Sequence, residues 1–425
     1  MKHLRLALLL IPVIAFCARA ADEDSKGGNP DEDIPDFSNL DEFIYQPKSN
    51  ATLGIRYISG AKTSFSGNGY LAAPETIPSV TGTTSNRFYH DGYVDPDTRS
   101  ETVANANGTT SNVPIQPDGK TNNWSYDTNG QQNAQGTATT SQVTPDDYMQ
   151  FHIYSAQSED TLTHDRTAKG TTGVELASTH DMGKLGQHFS WTIFGGVSLN
   201  DIESSMSANV TAAVTTLTDT YDLFGQTVPS GPYTAPSTVS QNIISNGQIL
   251  INSGGDPITE TIDTTTLLGN VPLNRTQTME TDNVSVEDHW KLHGAYLTFR
   301  AGPALTYNYN DHLKFTLSAG PALIDASSTY TVTEVLTPLT GAQIIGTFQD
   351  VQDKLLPAAY ADATVEYDIT ERAGLYFGAF YQVSGSYTQT VSGYAEDSTD
   401  SNGSWQTKVD FSGQQGLRGG LNFRF

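Results

Sequence analysis

Apolar side chains recur at every second position in eight segments of this chain, and this two-residue period is its strongest structural constraint. In segment 189–199, for example, Phe189 and Trp191 flank Ser190 and are followed by Thr192. Successive side chains of a β-strand point to opposite faces, so the period predicts strands, and a helical period is hard to find. We therefore expect an all-β chain with strands in 51–60, 171–179, 189–199, 294–305, 313–324, 359–369, 375–384 and 417–425.

The connections between these segments alternate between short and long. Short ones lie near 183–187, 309–311 and 370–373, and long ones near 64–170, 203–287, 334–354 and 391–405. Transmembrane barrels of the bacterial outer membrane have short periplasmic turns and long external loops. The spacing therefore predicts an eight-stranded antiparallel transmembrane β-barrel with an up-and-down meander. A ten-stranded barrel stays open as an alternative, because YMQFHIY at 148–154 could supply an extra strand.

Composition argues against two other classes of protein. The mean hydropathy is −0.38, and no segment after residue 20 has 18 uninterrupted apolar residues, which excludes a protein with several membrane-spanning helices. The chain has 22 Lys and Arg against 47 Asp and Glu, a formal charge of −25. Contacts to phosphate need a surplus of Lys and Arg, so we expect no nucleic-acid partner.

The N-terminus has the pattern of an export signal. Residues 1–20 contain a basic start, an apolar stretch from Leu6 to Phe16 and the small residues Ala18 and Ala20 at a cleavage site. Cleavage after Ala20 removes the one cysteine, Cys17, and leaves a charge of −28. Residues 21–48 are acidic and contain three prolines, which predicts a flexible segment before a barrel over 49–425.

Charged residues of the alternating segments lie on the face opposite the apolar one. In a transmembrane barrel the lipid-facing side is apolar and the interior can be polar. Eight strands leave only enough interior space for side chains. We expect a structural ion-pair network in the lumen, formed by Arg56, Glu175, Arg300, Asp362, Glu366 and Arg418.

Two prolines do not fit the interior of a closed sheet. Pro303 and Pro321 occur in AGPAL, which appears at 301–305 and again at 319–323. Proline cannot donate a ladder hydrogen bond, so we expect either that both residues lie at β-bulges or that the strand boundaries differ from the predicted ones.

The last segment, LRGGLNFRF, ends in Phe425 with apolar residues at every second position before it. It resembles the last strand of outer-membrane barrels, which the outer-membrane assembly machinery recognises. With eight predicted strands, the chain as a whole resembles the small barrels of the OmpA, OmpX and OmpW type. This resemblance implies that Leu421, Phe423 and Phe425 form an assembly signal. It also implies a location in the outer membrane of a Gram-negative cell, with outer-membrane lipid, lipopolysaccharide and the assembly machinery as partners.

The sequence predicts no catalytic residue, cofactor or metal site. His180 and His289 each adjoin an aspartate, Asp181 and Asp288, but neighbours on a strand point to opposite faces and cannot form a dyad. No HExxH, GxSxG or GxxxxGK[ST] motif occurs. The acidic clusters lack the spacing of an EF-hand.

We therefore expect a non-enzymatic outer-membrane protein with a structural or surface-interaction role, whose long loops contact an unknown extracellular partner. Two alternatives stay open. One is porin-like passive transport of small or hydrophobic solutes. The other is an outer-membrane hydrolase at the rim of the barrel that uses His180 or His289.

Overall fold

The structure is a computed structural model that describes residues 48–425, apart from 72–79, 81–85, 97–99, 115–118, 127–147, 159–161, 230–231, 282–283, 338–342 and 395–400. The predicted export signal at 1–20 and nearly all of the acidic segment at 21–48 lie outside the described residues. Within them, no helix has the length and hydropathy needed to cross a membrane.

Every regular element in the described residues is a β-strand, which confirms the all-β prediction. The strands are β1 (Ser49–Ser59), β2 (Lys62–Asn68), β3 (Tyr70–Leu71), β4 (Arg87–Tyr89), β5 (Gly92–Val94), β6 (Ser100–Ala104), β7 (Thr110–Pro114), β8 (Lys120–Thr121), β9 (Trp124–Tyr126), β10 (Tyr148–Ser158), β11 (His164–Thr167), β12 (Thr171–Lys184), β13 (Phe189–Asp222), β14 (Tyr233–Thr234), β15 (Thr238–Asn242), β16 (Ile244–Ser245), β17 (Gln248–Ile249), β18 (Thr259–Asp263), β19 (Leu268–Gly269), β20 (Asn274–Glu280), β21 (Ser285–Asn308), β22 (Leu313–Leu336), β23 (Ile344–Asp368), β24 (Ala373–Ser384), β25 (Ser386–Tyr394), β26 (Ser401–Asp410) and β27 (Gln414–Arg424).

Eight of these strands pair side by side in one continuous antiparallel order. β1 pairs with β12, β12 with β13, and β13 with β21. The order continues through β22, β23, β24 and β27, and β27 pairs with β1. The hydrogen-bonded order therefore returns to its first strand, and we call this set the eight-strand ring. It contains all eight segments that alternate in the sequence.

Four strands of the ring continue far beyond their expected ends. β13 runs to Asp222, β21 begins at Ser285, and β22 and β23 meet over Leu336 and Ile344. Much of the expected long connections at 203–287 and 334–354 is therefore strand. The two-residue period continues there, but the polarity of the faces is reversed: Glu203 is exposed on the outer face, whereas Ile202 is buried on the inner face.

The segment at 148–154 forms a strand, but that strand does not enter the ring. β10 pairs with the part of β13 between Ala212 and Asp222, beyond the pairing of β13 with β12. β20 pairs with the same part of β13 from its other edge. The extra strand of the ten-stranded alternative thus extends the sheet away from the ring.

The expectation of bulges at Pro303 and Pro321 is wrong. The β21–β22 ladder lacks pairs between 301–303 and 319–321, yet Arg300 opposite Ala322 and Ala304 opposite Ser318 belong to one unchanged register. Proline has no N–H to donate, so the ladder is interrupted without an inserted residue. Gly302 and Gly320 lie opposite each other in this gap, where a Cβ on Gly302 would collide with the carbonyl oxygen of Ala319.

The two largest apolar cores of the described residues lie beyond the segments in which β12, β1 and β27 pair with their neighbours. The first lies between the extensions of the ring strands and a second sheet ordered β11-β2-β26-β25. Its centre is Phe65, whose ring stacks 6.0 Å from the rings of both Trp290 and Tyr330. The second core surrounds the buried side chains of Trp124 and Phe151, where β10 meets the small sheet ordered β14-β9-β5-β4.

Candidate functional site: the charged cluster inside the ring

The structure places the six predicted lumen residues on the inner face of the ring. Arg56, Glu175, Arg300, Asp362 and Arg418 are buried, and Glu366 is partly buried. Their neighbours in sequence point outward: Ile55 is 62% exposed beside Arg56, which is 0% exposed. The two-residue alternation of each strand therefore separates the charged and apolar side chains.

Four of the six residues are in direct contact. Glu175 accepts from Arg300 at 2.5 Å and from Arg418 at 2.7 Å. Asp362 accepts from Arg418 at 2.9 Å and lies 3.7 Å from Arg300. Each carboxylate thus lies between two guanidinium groups, and we call these four residues the charged cluster. They come from β12, β21, β23 and β27, so the cluster connects strands across the inside of the ring.

Arg56 and Glu366 are not part of these ion pairs. Arg56 donates to Ser198 Oγ at 2.6 Å and to Gln382 Oε1 at 3.0 Å. Its guanidinium also stacks 3.8 Å from the centre of the Phe380 ring. Glu366 accepts from Asn422 Nδ2 at 2.9 Å. Among the described residues, the hydrogen bonds of Arg56 and Glu366 therefore go to neutral side chains and not to the charged cluster.

Aromatic rings enclose the charged cluster. The Arg300 guanidinium lies 5.4 Å from the ring centres of Phe194 and Tyr360, and that of Arg418 lies 5.7 Å from Phe194. A cavity beside Asp362 and Arg418 has a volume of about 20 Å³, which is room for about one water molecule. Ion pairs that pack against aromatic rings in this way can link strands and fill the interior of the eight-strand ring.

A second charged group, which was not predicted from the sequence, lies at the end of the ring near the short connections. Asp368 lies 3.2 Å from Lys314 Nζ and accepts a hydrogen bond from Arg424. Each of these residues is an even number of positions from an inward-facing residue on its own strand, as the residues of the charged cluster are. The two-residue alternation alone could therefore have placed them on the inner face.

The outer face of the ring carries an apolar belt over the same segments. Its exposed residues include Leu53, Ile55, Val174, Leu176, Trp191, Ile193, Leu305, Leu317, Leu375, Phe377, Leu417 and Leu421. Phe423 and Phe425, expected to act with Leu421 as an assembly signal, are 47% and 46% exposed. Water-soluble proteins rarely expose so many large apolar side chains on one continuous surface, so this belt needs an apolar surrounding.

Buried charges also occur in the extensions of the ring strands. Both carboxylate oxygens of Asp219 accept from Arg275, and one also accepts from Tyr89 Oη at 2.6 Å. The pKa of the Tyr89 hydroxyl is raised, and the largest cause is burial. Glu334 is 1% exposed and accepts from Ser158 Oγ at 3.3 Å, and burial raises its pKa to about 7.

Both histidines considered at the rim contact a serine. Ser49 Oγ lies 2.8 Å from His180 Nδ1, and Ser207 Oγ lies 2.6 Å from His289 Nδ1. Each serine is directly opposite its histidine on a neighbouring strand. The sequence could not show this, because it does not contain the register. As predicted, Asp288 is buried on the face opposite His289.

The described residues contain no group of three or more His, Cys, Asp and Glu side chains placed to hold a metal ion.

No protein-family model matches the chain, and no curated protein matches it. Among solved structures, it is similar to the outer-membrane protease OmpT of Escherichia coli, with 8% identity and a TM-score of 0.29 over 89% of this chain and 96% of that one. It is also similar to a FadL homologue of Pseudomonas aeruginosa, with 10% identity and a TM-score of 0.18 over 89% of this chain and 90% of that one.

Proposed function

We propose that this chain is an integral outer-membrane protein in which the eight-strand ring is a closed transmembrane β-barrel. The observation that carries the proposal is the opposite polarity of the two faces over the same segments. The outer face has the apolar belt, and the inner face has Arg300, Arg418, Glu175 and Asp362 in mutual contact. A typical water-soluble protein has the reverse arrangement, with apolar side chains inside and charged side chains on the surface. In a membrane, this arrangement places apolar side chains against lipid and leaves no free sheet edge.

The barrel is proposed to anchor a folded external region, and not to conduct. The charged cluster and its surrounding rings occupy the interior, which favours a closed lumen over porin-like transport. Beyond the belt, the outer faces of β13, β21 and β22 turn polar and their inner faces mostly apolar, as in a protein region surrounded by water. The second sheet and the aromatic core around Trp124 and Phe151 belong to this region, and we propose that it contacts the extracellular partner.

The small barrels of the OmpA, OmpX and OmpW type remain the proposed relatives of the membrane part alone. Outer-membrane lipid, lipopolysaccharide and the assembly machinery are its proposed partners, the last through Leu421, Phe423 and Phe425. Export with cleavage after Ala20 completes this proposal.

Ion conductance through planar lipid bilayers tests the closed-lumen proposal. We expect the reconstituted full chain to give no steady openings. Glu175→Gln combined with Arg300→Ala and Arg418→Ala is the matched variant, because it removes most of the charged cluster and leaves Asp362 and the belt intact. We expect this variant to conduct. Steady openings by the unmodified protein would contradict the proposal and support passive transport.

A further inference from the structure

Ser207, His289 and Glu287 form a chain of contacts on the outer face of β13 and β21. Ser207 Oγ lies 2.6 Å from His289 Nδ1, and His289 Nε2 lies 3.5 Å from Glu287 Oε1. Ser207 is directly opposite His289, and Glu287 is two residues from His289 on the same face of the same strand. A hydroxyl, an imidazole and a carboxylate in this sequence are the elements of an activated serine nucleophile.

All three side chains are open to solvent. The side chains of His289 and Glu287 are 42% and 50% exposed. They lie beyond the apolar belt, since Asp201 and Glu203 separate Ser207 from Leu199, the last large apolar residue of the belt on β13. Lys291, the next residue on the same face of β21, is exposed and brings a positive charge to the site. The site is therefore open to substrates from the aqueous side of the belt.

We propose that Ser207, His289 and Glu287 form a catalytic site that hydrolyses water-soluble carboxylic esters. This activity goes beyond the proposed anchoring function and replaces the expectation that the chain has no catalytic residue. It does not depend on the barrel proposal, because the three residues lie outside the belt.

The reaction has two steps. His289 Nδ1 accepts the proton of Ser207 Oγ while the oxygen attacks the carbonyl carbon of the ester. Collapse of the tetrahedral intermediate breaks the bond to the alcohol oxygen, and the proton on Nδ1 goes to the departing alcohol. A water molecule then attacks the acyl-Ser207, giving its proton to Nδ1 and releasing the carboxylic acid as the proton returns to Ser207 Oγ.

Glu287 and Lys291 stabilise the charges that form during the reaction. Glu287 is a positioning residue that faces the positive imidazolium from the Nε2 side, and it does not touch the substrate. Lys291, which lies opposite Ser205 on the same exposed face, supplies a positive charge that favours the negative oxygen of the tetrahedral intermediate. An ester carbonyl is more electrophilic than an amide carbonyl, and an alcohol leaves the tetrahedral intermediate more easily than an amine, which is the reason for assigning esters as the substrate class.

The chain contains its own control pair. Ser49 and His180 make the same contact, Oγ to Nδ1 at 2.8 Å, on directly opposite positions of β1 and β12. Among the described residues, no carboxylate lies within ion-pair distance of His180. If a serine–histidine contact alone caused reactivity, both serines would react.

Labelling by a fluorophosphonate, with peptide mass spectrometry of the folded full chain, tests the proposal directly. We expect phosphonylation of Ser207 and not of Ser49. Hydrolysis of p-nitrophenyl acetate should fall about 10²-fold in Ser207→Ala and in His289→Ala, which is the usual size of a general-base effect, and stay unchanged in Ser49→Ala.

Glu287→Gln should lower kcat with KM unchanged, and Glu287→Asp should recover part of the loss. Labelling of Ser207 no faster than that of Ser49, or a Ser207→Ala rate equal to that of the unmodified protein, would overturn the proposal. Labelling is measured on the unmodified chain and therefore does not depend on the folding of any variant.

Discussion

Replacing Glu175 by Gln should be among the most damaging single changes inside the ring. Glu175 is 1% exposed and accepts hydrogen bonds from two arginines, at 2.5 Å from Arg300 and 2.7 Å from Arg418. After the change, Asp362 alone would face both guanidinium groups. Removing one partner of a buried ion pair costs about 3–5 kcal/mol, because the remaining charge stays buried without compensation. We expect a loss of this size in the free energy of unfolding.

Equilibrium unfolding in urea, with the chain folded in lipid vesicles and followed by tryptophan fluorescence, measures this loss. The matched control is Glu203→Gln, the same substitution on the exposed outer face of β13, which should change the free energy of unfolding by less than about 0.5 kcal/mol. If Glu175→Gln also cost less than about 1 kcal/mol, the charged cluster would not be a buried, dry ion-pair network and the reasoning would fail.

Three further changes test other parts of the structure. Pro303→Val with Pro321→Val returns two N–H donors to the interrupted β21–β22 ladder, so unfolding should become harder by about 0.5–1.5 kcal/mol per hydrogen bond, as measured by the same urea titration. Burial raises the pKa of Glu334 from 4.5 to about 7, so the contribution of this residue to stability should be fully present below pH 4.5 and be lost as the pH rises to about 7. The difference in the free energy of unfolding between pH 4 and pH 8 should therefore change by about 3 kcal/mol in Glu334→Gln relative to the unmodified protein. Asp219→Asn leaves Arg275 without its carboxylate partner and should expose the extension of β13 to limited proteolysis while the ring stays intact; equal cleavage of variant and unmodified protein would contradict this.

The strands of the ring could be predicted because each residue type there agrees with its face. Ile55 and Arg56, or Leu417 and Arg418, differ so strongly in polarity that alternation alone gives both the strand and the direction of each side chain. The same alternation placed Arg300, Arg418, Glu175 and Asp362 on one face, and the structure brings these four together.

The extensions of the ring strands were missed because their polarity is reversed and mixed with Ser, Thr and Asn. Residues such as Ile202 and Trp290 are buried only because the second sheet covers them, and that pairing connects residues far apart in sequence. Contacts that depend on register were equally out of reach. Ser207 faces His289 because the two residues lie opposite each other on β13 and β21. Arg56 bonds to Gln382 and not to a carboxylate through a contact across the inside of the ring, since β27 lies between β1 and β24.

The most direct test of the membrane-spanning barrel is the environment of single spin labels at neighbouring positions of β24 and β27. Cys17, the one native cysteine, lies in the predicted export signal, so Phe377→Cys, Leu421→Cys and Tyr376→Cys each give one labelled site in the mature chain. In lipid vesicles, we expect labels at 377 and 421 to collide freely with oxygen and hardly at all with a water-soluble nickel complex, which is the signature of lipid. The label at 376 should be shielded from both reagents. Shielding of 377 and 421 from oxygen, as in the dry core of a soluble protein, would contradict the assignment of the belt to the membrane.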